Sequence, residues 1–103
     1  LKIIAGLSSN LGSIAENERG NFYGYRESKA ALNMFTSSLA AELGPDGFTC
    51  LALHPGWVRT DMGGASATLS PEESVSSMRA VIGKLTAEDN GRYFGYDGTE
   101  VDW

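Results

Sequence analysis

The run Lys2-Ile3-Ile4-Ala5-Gly6-Leu7 is almost wholly apolar, the pattern of a short strand with both faces covered. Ser8 to Gly24 is polar and glycine-containing, and it reads as a long loop. From Ser28 to Leu43 the residues Ala30, Ala31, Leu32, Met34, Phe35, Leu39, Ala40 and Leu43 recur at helical spacing. The spacing predicts a helix that starts at or before Tyr25. Gly44-Pro45-Asp46-Gly47 should stop it, a C-terminal glycine followed by proline. Phe48 to His54 is a second apolar strand, closed by Pro55-Gly56, and Gly63 to Leu69 is small and polar, as in a mobile flap. Ser70-Pro71-Glu72-Glu73 combines an N-cap serine, proline in the first turn and a capping-box glutamate. It should open a second helix through Val75, Met78, Val81, Ile82 and Leu85. After the turn Asp89-Asn90-Gly91, Arg92 to Tyr96 forms a third strand. Strands alternating with helices imply an α/β fold with a parallel sheet and right-handed crossovers.

With 103 residues the chain is at most one small domain. A net charge of −5 and the lack of any basic run argue against a nucleic-acid surface. No stretch approaches the roughly 18 apolar residues of a membrane span. The one cysteine, Cys50, excludes an internal disulfide and suits a reducing compartment, so a cytoplasmic location is expected. It reads as a buried strand residue, and His54 as structural. No His, Cys or carboxylate cluster has metal-ligand spacing, so no metal site is expected.

The chemistry centres on Tyr25-Arg26-Glu27-Ser28-Lys29. Residues four apart share a helix face. A phenol ordinarily titrates near ~10, and an adjacent ammonium favours the phenolate, which suits proton exchange with an alcohol or carbonyl oxygen. Tyrosine and lysine at this spacing also occur as plain solvated pairs, so their surroundings decide. Upstream stands an apolar strand ending in Ser8-Ser9-Asn10-Leu11-Gly12. Downstream a second strand runs into His54-Pro55-Gly56-Trp57-Val58-Arg59-Thr60-Asp61-Met62-Gly63-Gly64. Ligands of open parallel sheets gather outside the carboxyl ends of the strands, where Ser9, Pro55-Gly56 and Tyr25 all fall.

Strand–Ser-x-x-Gly, Tyr-x-x-x-Lys and strand–Pro-Gly, in that order, resemble the short-chain dehydrogenase/reductase family, in its C-factor-like and carbonyl-reductase-like branch. The resemblance runs to the terminal Tyr96-Asp97-Gly98-Thr99-Glu100-Val101-Asp102-Trp103. It implies the C-terminal part of a doubly wound, Rossmann-like sheet. It also implies an NAD- or NADP-dependent oxidoreductase that reduces a small carbonyl or oxidises a secondary alcohol. Ser9 would bond the substrate oxygen, with Ser8 as the rival; Ser9 is preferred because Gly12 then falls at the family's spacing. Tyr25 would be the general acid or base. Lys29 would poise it and, with Tyr25, line the nicotinamide ribose. Pro55 and Gly56 would flank the nicotinamide, glycine permitting close backbone approach. Val58 would offer backbone to its amide, and Thr60 would reach a phosphate or amide oxygen. Trp57 would either wall the substrate pocket or pack the flap. The interval from Ser9 to Tyr25 is longer than the family's usual one.

The family's Gly-rich dinucleotide turn and its catalytic asparagine are not among these residues, and the chain starts with Leu. Residues 1–103 are therefore expected to be the C-terminal catalytic portion of one domain, inactive alone, with the N-terminal dinucleotide-binding portion absent. A non-catalytic interaction or signalling fragment built on the same fold is the alternative. The long helix carries small residues on more than one face, so a homo-oligomer is expected of the complete protein.

Overall fold

A computed structural model of the chain describes all 103 residues. Three parallel strands form one sheet in the order β1 (Lys2–Leu7), β2 (Phe48–His54), β3 (Tyr93–Gly95). Helix α1 (Tyr23–Leu43) joins β1 to β2, and α2 (Pro71–Gly83) lies between β2 and β3. The α/β class and the parallel sheet are thus as expected, and β1 and β2 have the expected limits.

The expectation of uniformly right-handed crossovers fails. Gly6 and Ala52 are register partners, and a β-carbon on Gly6 would meet Thr36 of α1 at 3.0 Å. Leu51 and Leu53 point to the opposite face, where they pack with Met78, Val81, Ile82 and Leu85. The two helices cover opposite faces, yet both connections step the same way along the sheet. Connections of one hand would put both helices on one face, so the two have opposite hands.

Strand β2 is central, and Thr49 to Leu53 are all buried. Cys50 is fully buried, as expected, and burial pushes its thiol pKa up. Strand β1 pairs on one side only, leaving Ile4 and Leu7 exposed. The full covering that its apolar run predicted is not present in this chain.

Helix α1 begins at Tyr23 and buries Asn33, Thr36 and Ala40, while Met34 and Phe35 stay exposed. It ends at Leu43, as expected, with Gly44 as its C-cap. Gly44 is still right-handed, a short 3-10 turn follows over Gly44–Asp46, and Gly47 takes the left-handed conformation at φ 88°. Helix α2 starts with the expected box: the Ser70 hydroxyl accepts from Glu73 N–H at 3.1 Å, and Glu73 accepts from Ser70 N–H at 2.9 Å. Asn90 locks the turn before β3, accepting from Cys50 N–H at 2.8 Å and donating to the Ala40 carbonyl at 2.9 Å.

Candidate active site at the carboxyl edge of the sheet

Because β1 and β2 run parallel in register, Leu7 lies beside Leu53, and the Ser8 and His54 segments leave the sheet together. Ser8 N–H donates to the Leu53 carbonyl at 2.8 Å. Ser9 then caps a 3-10 turn over Asn10–Gly12, its Oγ accepting from Leu11 N–H at 3.1 Å. Accepting that bond leaves the hydroxyl proton with only a long contact, 3.5 Å, to Asn10 Oδ1. The proton can therefore be given to a ligand oxygen. Ser8 differs. It is buried, and its hydroxyl donates to Asn33 Oδ1 at 2.6 Å. The Ser8 proton is committed inside the protein, whereas the Ser9 proton is not.

Tyr25 and Lys29 stand one turn apart on α1, with the lysine ammonium 5.6 Å from the centre of the phenol ring. Tyr25 is 39% exposed, and its hydroxyl makes no intramolecular hydrogen bond. Gly12 brings the serine turn onto this helix. A β-carbon there would lie 2.9 Å from Lys29 Cβ and 3.0 Å from Asn33 Nδ2. Asn33 Nδ2 also donates to the Gly12 carbonyl at 3.4 Å. The turn bearing Ser9 and the helix bearing Tyr25 and Lys29 are thus in direct contact, with no bond from Ser9 Oγ to the Tyr25 hydroxyl.

Two buried groups escaped the sequence reading. The Tyr93 hydroxyl donates to the Ser9 carbonyl, and burial pushes its pKa up, keeping it protonated as a donor. Asn33 bonds both Ser8 and Gly12. A polar residue one turn beyond Lys29, on the helix face that Lys29 shares, was the available signal for Asn33. For Tyr93 there was none, because its partner is a backbone carbonyl far away in sequence. The terminal segment closes the other side. Ser13 Oγ donates to the Asp102 carbonyl, Ile14 N–H to the Trp103 carbonyl at 2.6 Å, and the Trp103 ring lies 5.0 Å from that of Tyr93.

Beyond β2, the Pro55 carbonyl accepts from Ser74 Oγ at 2.7 Å. Gly56 has φ 81°, and a β-carbon there would meet Leu69 at 2.6 Å and the Tyr96 ring at 2.8 Å. The glycine is required by these neighbours and by its dihedral. Residues 57–69 are tied rather than loose. Leu69 bridges across Val58, bonding the Trp57 carbonyl at 3.0 Å and Arg59 N–H at 2.7 Å. Trp57 Nε1 donates to the Gly63 carbonyl at 2.8 Å, and Arg59 to the Ala67 carbonyl at 3.1 Å. Trp57 accordingly packs with the flap through its nitrogen, its ring 53% exposed. The parallel bridge turns the Val58 N–H away from Leu69, and it has no protein partner. Thr60 Oγ1 accepts from Gly63 N–H at 3.1 Å and keeps its proton. His54 ends β2 among Tyr93 and Tyr96, as a structural residue should; burial lowers its pKa, against the pull of Asp97 and Glu16.

Residues 4–95 match the family described as enoyl-(acyl carrier protein) reductase. The chain belongs to the short-chain dehydrogenase/reductase family. It is 52% identical over its whole length to the C-signal of Myxococcus xanthus, of which it covers 62%. It is 48% identical to the carbonyl reductase Sniffer of D. melanogaster, with a TM-score of 0.93 over 98% of this chain and 41% of that one. The NADPH-bound carbonyl reductase from chicken fatty liver is 38% identical, with a TM-score of 0.89 over 98% of this chain and 42% of that one. The chain thus spans between two fifths and two thirds of the length of these relatives. The short-chain dehydrogenase/reductase fold accounts for the parallel sheet of this oxidoreductase family. No helix is long and apolar enough to cross a membrane.

Proposed function

We propose that the protein containing this chain reduces a small carbonyl compound, or oxidises a secondary alcohol, with NAD or NADP, through Ser9, Tyr25 and Lys29. The observation that carries this reading is the Lys29 ammonium 5.6 Å from the Tyr25 ring, beside a Tyr25 hydroxyl with no internal partner. A nicotinamide, when bound, supplies or accepts the hydride. In reduction, Ser9 donates a hydrogen bond to the carbonyl oxygen. Tyr25 Oη gives that oxygen its proton, and the lysine charge stabilises the tyrosinate left behind. In oxidation the proton returns from the alcohol to Tyr25.

The unpaired donors fit the nicotinamide side of such a cofactor. Lys29 and Tyr25 would hold the ribose, the free Val58 N–H the carboxamide, and the Thr60 proton a phosphate or amide oxygen, with Pro55 and Gly56 alongside. The NADP-bound relatives support a nicotinamide dinucleotide as the ligand. In the full-length protein, Tyr25→Phe should lower kcat roughly a hundredfold or more, the usual worth of a general acid, and leave cofactor affinity nearly unchanged. A variant retaining half of the wild-type turnover would refute the assignment.

A second reading is favoured by the 52% identity to a protein named C-signal. In it the folded chain acts through its surface as an interaction or signalling element, and Tyr25→Phe would leave that role intact.

A further inference from the structure

We propose that Arg26 is a positioning residue for this reaction: its guanidinium fixes the loop between Ser9 and Tyr25, so that both side chains face one substrate oxygen. The inference rests on the catalytic reading above.

The segment from Ser13 to Phe22 has no regular structure and ends in an unusual way. Gly20, Asn21 and Phe22 are all left-handed, at φ 68°, 63° and 52°. Glycine adopts this freely and asparagine tolerates it, but phenylalanine does so rarely. Burial does not explain Phe22, whose ring is 57% exposed. As the N-cap residue of α1, it also makes no side-chain capping bond. Strain of this kind persists where its surroundings over-determine the backbone, and it collects near functional sites.

Arg26 supplies that determination. Its Nε donates to the Gly20 carbonyl at 3.1 Å and the Asn21 carbonyl at 2.9 Å, while Nη1 donates to the Leu11 carbonyl at 3.3 Å. Its backbone N–H bonds the Phe22 carbonyl at 2.8 Å. No carboxylate pairs with this guanidinium, so backbone carbonyls are its identified partners. Leu11 is the residue whose N–H holds Ser9 Oγ, and Tyr25 precedes Arg26 in the chain. One planar cation therefore links the serine turn, the end of the loop and the first turn of the tyrosine helix. A lysine has one nitrogen where arginine has a fork, and it cannot hold both points together.

The test uses the full-length protein with Arg26→Lys, Arg26→Ala, Ser9→Ala, the double variant and Tyr25→Phe. Two readouts are taken: amide hydrogen exchange, and NADPH-dependent reduction of benzaldehyde. Both Arg26 variants should speed exchange across residues 13–22 by about tenfold or more, with β2 unchanged. Turnover in either should fall roughly ten- to a hundredfold, the rate equivalent of one or two lost charge-assisted bonds, with a smaller change in KM for NADPH. Added guanidinium ion should restore part of the Arg26→Ala loss. Ser9→Ala should cost far less in the Arg26→Ala background than in the wild type, since each acts through the other. Unchanged exchange in the loop, or additive effects of the two substitutions, would overturn the role of Arg26 while an inactive Tyr25→Phe left the catalytic reading standing. An active Tyr25→Phe would overturn the catalytic reading and this inference with it.

Discussion

At the scale of single residues, the site is a matter of which polar groups already have partners. Ser8 and Ser9 are neighbours of identical chemistry, and only their hydrogen bonds separate them. One hydroxyl is spent on Asn33, and the other keeps its proton. Motif spacing points to Ser9 through Gly12, and Gly12 is the residue that fits against Lys29. Tyr25 and Lys29 were legible for a simple reason: four residues on a helix is a local relation, set by its pitch. The supporting groups were not legible, since Tyr93 reaches Ser9 across most of the chain. Lys29 also carries a prediction. In the full-length protein Lys29→Ala should both lower turnover and raise the cofactor dissociation constant, the latter about tenfold or more for a lost charge-assisted bond. An unchanged dissociation constant would remove the ribose role from Lys29.

At the scale of elements, periodicity marked where helices lie better than which face they bury. Helix α1 is where its spacing put it, but its buried positions include Asn33 and Thr36, because each finds an internal acceptor or donor. The hands of the two crossovers were not legible either, since they depend on which sheet face each helix covers. Contact between turn and helix makes Gly12→Ala a sharp test. Its new methyl would press on Lys29 backbone at 3.0 Å as well as on two side chains, and backbone cannot step aside. Overpacking of this kind costs about 1–3 kcal/mol, so the urea midpoint of the full-length protein should fall and activity with it; an unshifted midpoint would show that the turn has room to move. The start of α2 predicts a pH effect. Hydrogen bonds from Ser70, helped by Arg59 3.6 Å away, hold the Glu73 carboxyl below its ordinary 4.5. A depressed carboxylate pKa stabilises the fold above the unfolded value, and that contribution is lost as pH falls through the folded one. Glutamine keeps the acceptor and loses the titration. Glu73→Gln should therefore melt with a shallower pH dependence than wild type below about pH 4.5. Equal slopes would mean that the box contributes nothing through its charge.

At the scale of the whole molecule, two surfaces are left without partners, and each makes a prediction. The first is the outer side of α1, where Ala31, Met34, Phe35, Ser38 and Ala41 are exposed, Met34 at 68% and Phe35 at 61%. An apolar stripe with small residues suits a second copy of the same helix, so the full-length protein should sediment as a homo-oligomer at micromolar concentration, and Phe35→Glu should dissociate it. A wild type that is monomeric there would rule this out. The second surface is the free side of β1. An unpaired, apolar strand edge invites aggregation, and the exposed Ile4 and Leu7 add to it. The 103-residue polypeptide expressed by itself should accordingly be marginally stable. It should also bind cofactor weakly, for a separate reason. Pyrophosphate binding in such folds relies on a Gly-rich turn and the helix N-terminus behind it, and no Gly-x-Gly-x-x-Gly turn follows a strand in these residues. Lys29, Val58 and Thr60 would have to hold the whole dinucleotide from its nicotinamide end. Three such contacts support no better than millimolar affinity, on the order of −4 kcal/mol. Calorimetric titration of the 103-residue polypeptide with NADH and NADPH decides the matter. Micromolar binding of either by a folded monomer would mean that the carboxyl edge of these three strands is a dinucleotide site in its own right.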